Sequence, residues 1–485
     1  MKSTIALILA AAGCAACSGA AATTPKGPPP PSDSTVATGD TAGVWMTTAD
    51  RTKFVEHRPP VGFQTGKATA PYTLTVDDGT QYQSIVGFGA AFTDASTYLI
   101  QEKLSPEQRL ALLTSLFSPT EGLGLSFMRV TMGSSDFSRS DWSYDDMPAG
   151  QRDTAMVHFS IEKDREAMLP VIRQAREINP DLALMATPWS PPGWMKTTGS
   201  MIQGHLRDDA YGAYARYFQR FLQAYDSAGV PVQYISVQNE PDFEPANYPG
   251  MKMSAAERAK FVGRYLGPLL EQSGIQTGIL DWDHNWDEPQ QPLGVLADSA
   301  ARGYVDGVAW HCYAGDISAM STVHDAYPNK DTFFTECSGG EWSPDYAQNL
   351  NWFFGTLIID GTRNWARGVA FWNLALDPEH GPHTGGCDDC RGVVTIDPAS
   401  GRATYNVEYF ALAQASRFVR PGARRIASNS DVGGLKSVAF RNPDGSTALL
   451  VLNGATEERS FDVAADGKYF AYTLPAGAAA TFRWP

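Results

Sequence analysis

From residue 84 onward, short apolar runs alternate with longer stretches whose apolar residues recur at helical spacing. The runs lie near 84–90 (SIVGFGA), 125–131 (LSFMRVT), 181–187 (DLALMAT), 232–238, 275–282 (IQTGILDW), 304–311 (YVDGVAWH), 331–335 and 367–373. Few polar residues interrupt them, as in strands buried on both faces of a parallel sheet. The stretches between carry helix start signals. Ser105-Pro106-Glu107-Gln108 joins a capping box to a proline at the first helical position, ahead of Leu110, Leu113 and Phe117. Ser254 to Glu257 repeats the device before Phe261, Val262, Tyr265, Leu269 and Leu270, and Gly274 closes that helix. Eight such repeats predict an α/β fold, a (β/α)8 TIM barrel over 84–415. A doubly wound sheet would carry a Gly-rich phosphate loop after its first strand. GFGAAF (87–92) has the glycines without that spacing.

The pattern changes at both ends of the chain. Over 416–485, SVAFRN, TALLVLN, RSFDVAA, YFAYTLP and AATFRWP are separated by Asn-Pro-Asp-Gly, Asn-Gly and Asp-Gly, which predicts short antiparallel strands. Residues 41–83, with YTLTVDD, supply matching strands, so one β-sandwich built from both termini is expected beside the barrel. Residues 1–17 read as an export signal: Lys2 precedes IALILAAA, an apolar stretch too short to span a bilayer. Cys14 or Cys17 is a candidate for lipidation, which would anchor the chain to a bacterial outer membrane. Residues 18–40, with the Pro28–Pro31 run, are expected to be a disordered linker. Export, whether to the periplasm, the outer membrane or the medium, makes disulfides the first reading of the remaining cysteines.

A net charge of −15 with no basic cluster argues against a nucleic-acid partner. Twelve Trp and nineteen Tyr among 485 residues suit a cleft that stacks on sugars, although most buried aromatics are simply core. The chemistry sits where strands stop. VQYISVQNEP (232–241) delivers Asn239 and Glu240 to a strand end, and DTFFTE (331–336) delivers Glu336. Two carboxyls on a barrel rim are the requirement for glycoside hydrolysis, one as acid and the other as nucleophile or base. The acid needs a raised pKa and the nucleophile a lowered one. Arg129, His311 and Tyr313 are the expected donors to Glu336, with Asp94 or Asp136 as ion-pair partners for Arg129. Glu341 and Glu244 lie several residues beyond their strand ends and compete less well. Trp189, Trp310 and Trp372 also fall at strand ends, where their faces would stack on a pyranose.

The segments GFGAAFTDAS (87–96), FMRVTMGSSDFS (127–138), ATPWSPPGWMKTTG (186–199), SVQNEP (236–241), WHCY (310–313), FTECSGG (334–340) and FWNLALDPEHGP (371–382) run through the whole predicted barrel in order. Through them the chain resembles glycoside hydrolase family 30, the group of lysosomal glucosylceramidase and the endo-β-1,6-glucanases. The resemblance implies a retaining enzyme that works on a β-linked glucan or glucoside without a cofactor or metal. It implies Glu240 as acid/base and Glu336 as nucleophile. It also implies a glucose subsite lined by Arg129, Asp136, Trp189, Asn239, His311, Tyr313 and Trp372. The loop GGCDDCRGVV (385–394) and the cysteine of HCY look closer to microbial glucanase-like members, and the lipid-handling loops of the lysosomal enzyme have no evident counterpart. Xylan-acting relatives read a glucuronic acid with basic groups, and no such cluster is present. Two other readings compete: zinc held by His380, His383, Cys387 and Cys390, and a silent carbohydrate-binding protein. Cys312 and Cys337 follow neighbouring strand ends. Strands about 4.8 Å apart suit a disulfide Cα–Cα span of about 4.4–6.8 Å. Cys312–Cys337 and Cys387–Cys390 are therefore the expected bridges.

Overall fold

The structure, a computed structural model, describes residues 39–485. The expected export signal, with Cys14 and Cys17, and all but the end of the expected linker lie outside the described residues. Eight parallel strands close into a barrel: Gly87–Phe92, Phe127–Thr131, Ala183–Thr187, Tyr234–Ser236, Gly278–Asn285, Val305–His311, Asp331–Glu336 and Ala366–Asn373. All eight runs read from sequence form strands. The fourth is shorter than its apolar run. After Ser236 the chain leaves the ladder, and the Asn239 and Glu240 amides donate instead to the carbonyls of Pro188 and Asp283. Both capping boxes form, at Ser105–Gln108 and Ser254–Glu257. Gly274 adopts φ +67° past the end of its helix, a conformation that favours glycine.

Below the rim the barrel is filled by Phe127, Met185, Leu280, Ala309, Phe333 and Ala370, with Tyr234 packed against them. This apolar plug, close-packed as barrel interiors are, forms a rigid floor for whatever lies above it.

The strands at the two ends of the chain form one ten-stranded sheet that packs against itself as a sandwich. Phe461 and Phe470 meet Phe482 across that second core, and Phe63 meets Trp484. Two details depart from expectation. Arg424–Ser428, too short and charged to stand out in the sequence, is a sixth C-terminal strand between Leu435–Arg441 and Tyr72–Ser84. Arg459–Ala465 pairs in parallel with Tyr72–Ser84, because its neighbour comes from the other end of the chain and no hairpin constrains its direction. Asp466 and Gly467, both at positive φ, make the two-residue hairpin turn that follows. The sandwich is fixed to the barrel through the buried helix Val407–Ser416, whose Gln414 bonds Thr47 and Thr481.

Candidate active site

Strand side chains alternate, so the residue two positions beyond each floor residue also points into the barrel. Arg129 thus stands above Phe127, Thr187 above Met185, Ser236 above Tyr234, His311 above Ala309 and Thr335 above Phe333. A polar layer lies directly on the apolar plug. By the same alternation Trp310 points away from the site and is fully buried in the main core, not on the rim as expected.

The fifth strand breaks the rule. An unbroken pleat would carry Trp282 inward above Leu280. Instead Ala309 pairs with Trp282 and Trp310 with His284, so Asp283 is one residue too many. Trp282 and Asp283 sit at φ +75° and +53°. This bulge turns Asp283 into the polar layer, at about 1–3 kcal/mol of strain for each such residue. One carboxylate oxygen accepts from Arg129 (2.8 Å), Thr187 (3.1 Å) and Ser236 (2.6 Å). The other accepts from Thr335 (2.7 Å) and His311 Nε2 (3.0 Å). Since a carboxylate only accepts, His311 holds a hydrogen on Nε2, and when charged it holds a second on Nδ1, which is turned toward the cleft.

That nitrogen lies 3.2 Å from Glu240 Oε1 and 3.9 Å from Glu336 Oε1. The two contacts cap the separation of these carboxylate oxygens at about 7 Å. Glu336 is also gripped by Arg129 Nη1 and accepts from the Tyr313 hydroxyl at 2.9 Å. Glu240, at φ +46°, faces His284 Nδ1 at 3.6 Å. Burial drives His311 toward neutrality, but the Glu336 charge and its bonds to Asp283 and Glu240 win and push it up to about 9. Burial likewise raises Glu240, yet the imidazoles of His284 and His311 reverse this and hold it below the usual carboxylate range. In Glu336 burial prevails over His311 and Arg129, with the Glu240 charge adding to it, and its pKa is raised. In the open cleft this is the reverse of the split expected from sequence. Part of the reason is His284, whose imidazole stands beside Glu240 together with His311, a neighbour that the linear sequence did not place there.

Above the carboxyls opens a cleft of about 670 Å³, within the range of small-molecule sites. Asp136, Trp189, Asn239, Tyr313 and Trp372 line it, as do both glutamates. Arg129 and His311 do not. They are fully buried beneath it and act on the carboxyls, a correction to the expected subsite. Arg129 bonds neither Asp94, which pairs with Arg139, nor Asp136. Asn239 Oδ1 accepts from Arg129 Nη2 at 2.7 Å, which leaves its amide nitrogen for a ligand. Trp189 and Trp372 stack at 5.1 Å and both cover the Arg129 guanidinium, so they wall in the cation as well as line the cleft. Burial, then the charges of Glu336 and Glu240, raises the Asp136 pKa well above its ordinary value. Its buried Oδ1 has no hydrogen-bond partner among the described residues.

Loops finish the walls. Cys312–Cys337 and Cys387–Cys390 are bridged, with Cα–Cα distances of 5.4 and 5.5 Å. The second bridge consumes both thiols of the zinc reading, while His380 Nδ1 bonds the Cys390 carbonyl. Gly340 pairs with Cys390, tying the segment after Glu336 to the 385–394 loop. Phe243 and Trp342 are exposed aromatics in the lining, and neither was singled out in the sequence. Glu244 bonds the Gly204 amide and Glu341 lies near Arg391, both outside the lining. Asp283, His284 and Asn285 were also missed. The run DWDHN (281–285), dense in ionisable groups at a strand end, is the signal that would have found them.

Residues 85–419 match the Glycosyl hydrolase family 30 TIM-barrel domain, and 422–482 match its beta sandwich domain. The chain is 38% identical over 440 residues to an endo-1,6-beta-D-glucanase of Neurospora crassa, covering 86% of this chain and 89% of that one. It is 33% identical to putative glucosylceramidase 1 of Caenorhabditis elegans, covering 83% and 81%. A solved endo-beta1,6-glucanase superposes with a TM-score of 0.84 at 32% identity, over 92% of this chain and 99% of that one. The carboxyl pair, the barrel that carries it and these similarities agree: the chain belongs to glycoside hydrolase family 30 and is a glycosidase.

Proposed function

We propose that the protein is a retaining β-glucosidase of the endo-β-1,6-glucanase type, with Glu336 as nucleophile and Glu240 as acid/base. The observation that carries this reading is the carboxyl pair bridged by one His311 nitrogen at the base of the cleft. The cap of about 7 Å on the nearer oxygens is compatible with the roughly 5–5.5 Å between the carboxyls of retaining enzymes. Glu336 attacks the anomeric carbon as the glycosidic bond breaks, and the Glu240 proton goes to the departing oxygen. Water, deprotonated by Glu240, then displaces Glu336 and restores both groups with the β configuration kept. Arg129 and Tyr313 orient Glu336. Asp136 and Asn239 offer an acceptor and a donor to the sugar hydroxyls.

Charge sets the proton count. Asp283, Glu240 and Glu336 face Arg129 and His311, so one proton on the glutamate pair neutralises the cluster. The open cleft favours that proton on Glu336, and catalysis draws on the form with it on Glu240. Among the described residues no lysine or arginine lines the cleft, which disfavours an acid-substituted xylan. Exposed Trp342 and Phe243 suit further glucosyl units, and similarity to a β-1,6-glucanase supports that polymer ahead of glucosylceramide. The two disulfides accord with export, and a leader over 1–17 would deliver it. Mass spectrometry of the mature N-terminus distinguishes cleavage from lipidation at Cys14 or Cys17. Digestion of pustulan beside laminarin, xylan and glucosylceramide, with NMR of the first anomer formed, tests the activity. An α-anomer appearing first, or turnover confined to glucosylceramide, would overturn the corresponding half of the proposal.

A further inference from the structure

Three ligand atoms converge at the floor of the cleft. Glu240, His284 and His311 each bring one ligand atom to within 4.8 Å of the others, with Glu240 Oε1 facing Nδ1 of both histidines. The oxygen is 3.2 Å from one nitrogen and 3.6 Å from the other. Around a tetrahedral zinc ion with bonds of about 2.0–2.1 Å, ligand atoms stand roughly 3.3–3.4 Å apart, so these spacings need little adjustment. His284 Nδ1 is buried and has no hydrogen-bond partner among the described residues, an unmet demand that a ligand would satisfy. His311 Nε2 donates to Asp283, the carboxylate–imidazole pairing that orients histidine on metals. The Glu240 and His284 side chains keep 16% and 12% of their surface exposed, so the group opens to the cleft and leaves coordination positions for water.

We propose that Glu240, His284 and His311 form an inhibitory site for a borderline-soft divalent cation of the zinc class. Two imidazoles and one carboxylate are a donor set that zinc accepts and that calcium or magnesium, which take oxygen ligands, does not favour. The ion displaces the proton from His311 Nδ1 and occupies the Glu240 oxygen that delivers a proton to the leaving group. It therefore blocks turnover and competes with the sugar for the floor of the cleft. The inhibitory part rests on the acid/base reading of Glu240; the binding part does not.

The test is calorimetric titration of the intact enzyme with ZnCl2 in chelator-free buffer, in parallel with zinc inhibition of aryl β-glucoside hydrolysis. One equivalent should bind to the wild type, with zinc raising the apparent KM. Loss of an outer partner alone costs about 10–100-fold in metal affinity, so His284→Ala should weaken binding at least tenfold. His284→Gln should do the same, and thermal melts of both variants check folding. No binding up to millimolar zinc, or affinity unchanged in folded His284→Ala and His284→Gln, would overturn the site. Binding that depends on His284 while saturating zinc leaves the wild-type kcat/KM unchanged would overturn the inhibition but leave the site standing.

Discussion

Replacing Asp283 by Asn tests whether the strand bulge sustains the site. The carboxylate takes five hydrogen bonds, from Arg129, Thr187, Ser236, His311 and Thr335, and is fully buried. An amide in its place would turn an NH2 group toward donors on one side and leave Arg129 without its buried counter-charge on that strand. Breaking a buried ion pair by removing one partner costs about 3–5 kcal/mol. Urea denaturation should therefore show a loss of that order, a large share of the roughly 5–15 kcal/mol that stabilises most folded proteins. A second effect comes through His311. Its folded pKa of about 9 lies above its unfolded value of 6.5, so its contribution to stability is complete below pH 6.5 and is lost as pH rises through 9. Asp283→Asn removes one of the interactions that raise this value, so the alkaline loss of stability should move to lower pH. The kcat/KM for an aryl β-glucoside should fall at least tenfold, since Glu336 and Glu240 both depend on groups that Asp283 orients. A variant with wild-type denaturation midpoint, an unmoved alkaline limb and kcat/KM within threefold of wild type would refute the bulge as the keystone of the polar layer.

Three more outcomes are expected. Glu336→Ala should lose turnover on every substrate, whereas Glu240→Ala should keep activity on aryl glucosides with good leaving groups and be rescued by azide; rescue of neither, or the reverse ranking, assigns the roles wrongly. Removing Cys312–Cys337 by a double alanine substitution should lower stability by about 3.5 kcal/mol from the entropy of a loop with sequence separation 25, measured by denaturant melts, with kcat falling as the Glu336 loop loosens. Gly386→Ala should raise KM at least tenfold, because its Cβ would lie 2.7 Å from Asp136 Oδ2 at φ +80°; an unchanged KM would show that Asp136 is not held for the sugar.

What the sequence made legible was what depends on short range. Strand runs and capping boxes are local patterns, and a carboxylate at a strand end is visible wherever the strand is, so the barrel, Glu240 and Glu336 could be read directly. Depth was not visible. Nothing local distinguishes Arg129, sealed under the cleft, from Asp136, which lines it, because the distinction depends on how far each strand rises above the plug. The bulge at Asp283 was hidden for a related reason: it is a mismatch between two neighbouring strands and belongs to neither alone. With it went His284, and so the sense in which the two glutamates split their affinity for a proton. The parallel pairing of Arg459–Ala465 escaped the same way, since its partner lies at the other end of the chain.

The shared sheet constrains the order of assembly. Thr41–Thr47 is among the first described segments made, yet one edge of it pairs only with Ala479–Trp484, so Thr47 waits for Ala479. Tyr72–Ser84 likewise has neighbours that come only after the barrel, at Arg424–Ser428 and Arg459–Ala465. A ribosome that has released the whole barrel still holds a protein with unpaired strands at its start, and such edges invite pairing with other chains. A nascent chain cut short before its last strand would therefore lose more than its tail, because the strands made first would have no partner to close against. Synthesis of residues 424–484, rather than completion of the barrel, is the event that lets the early strands find their partners.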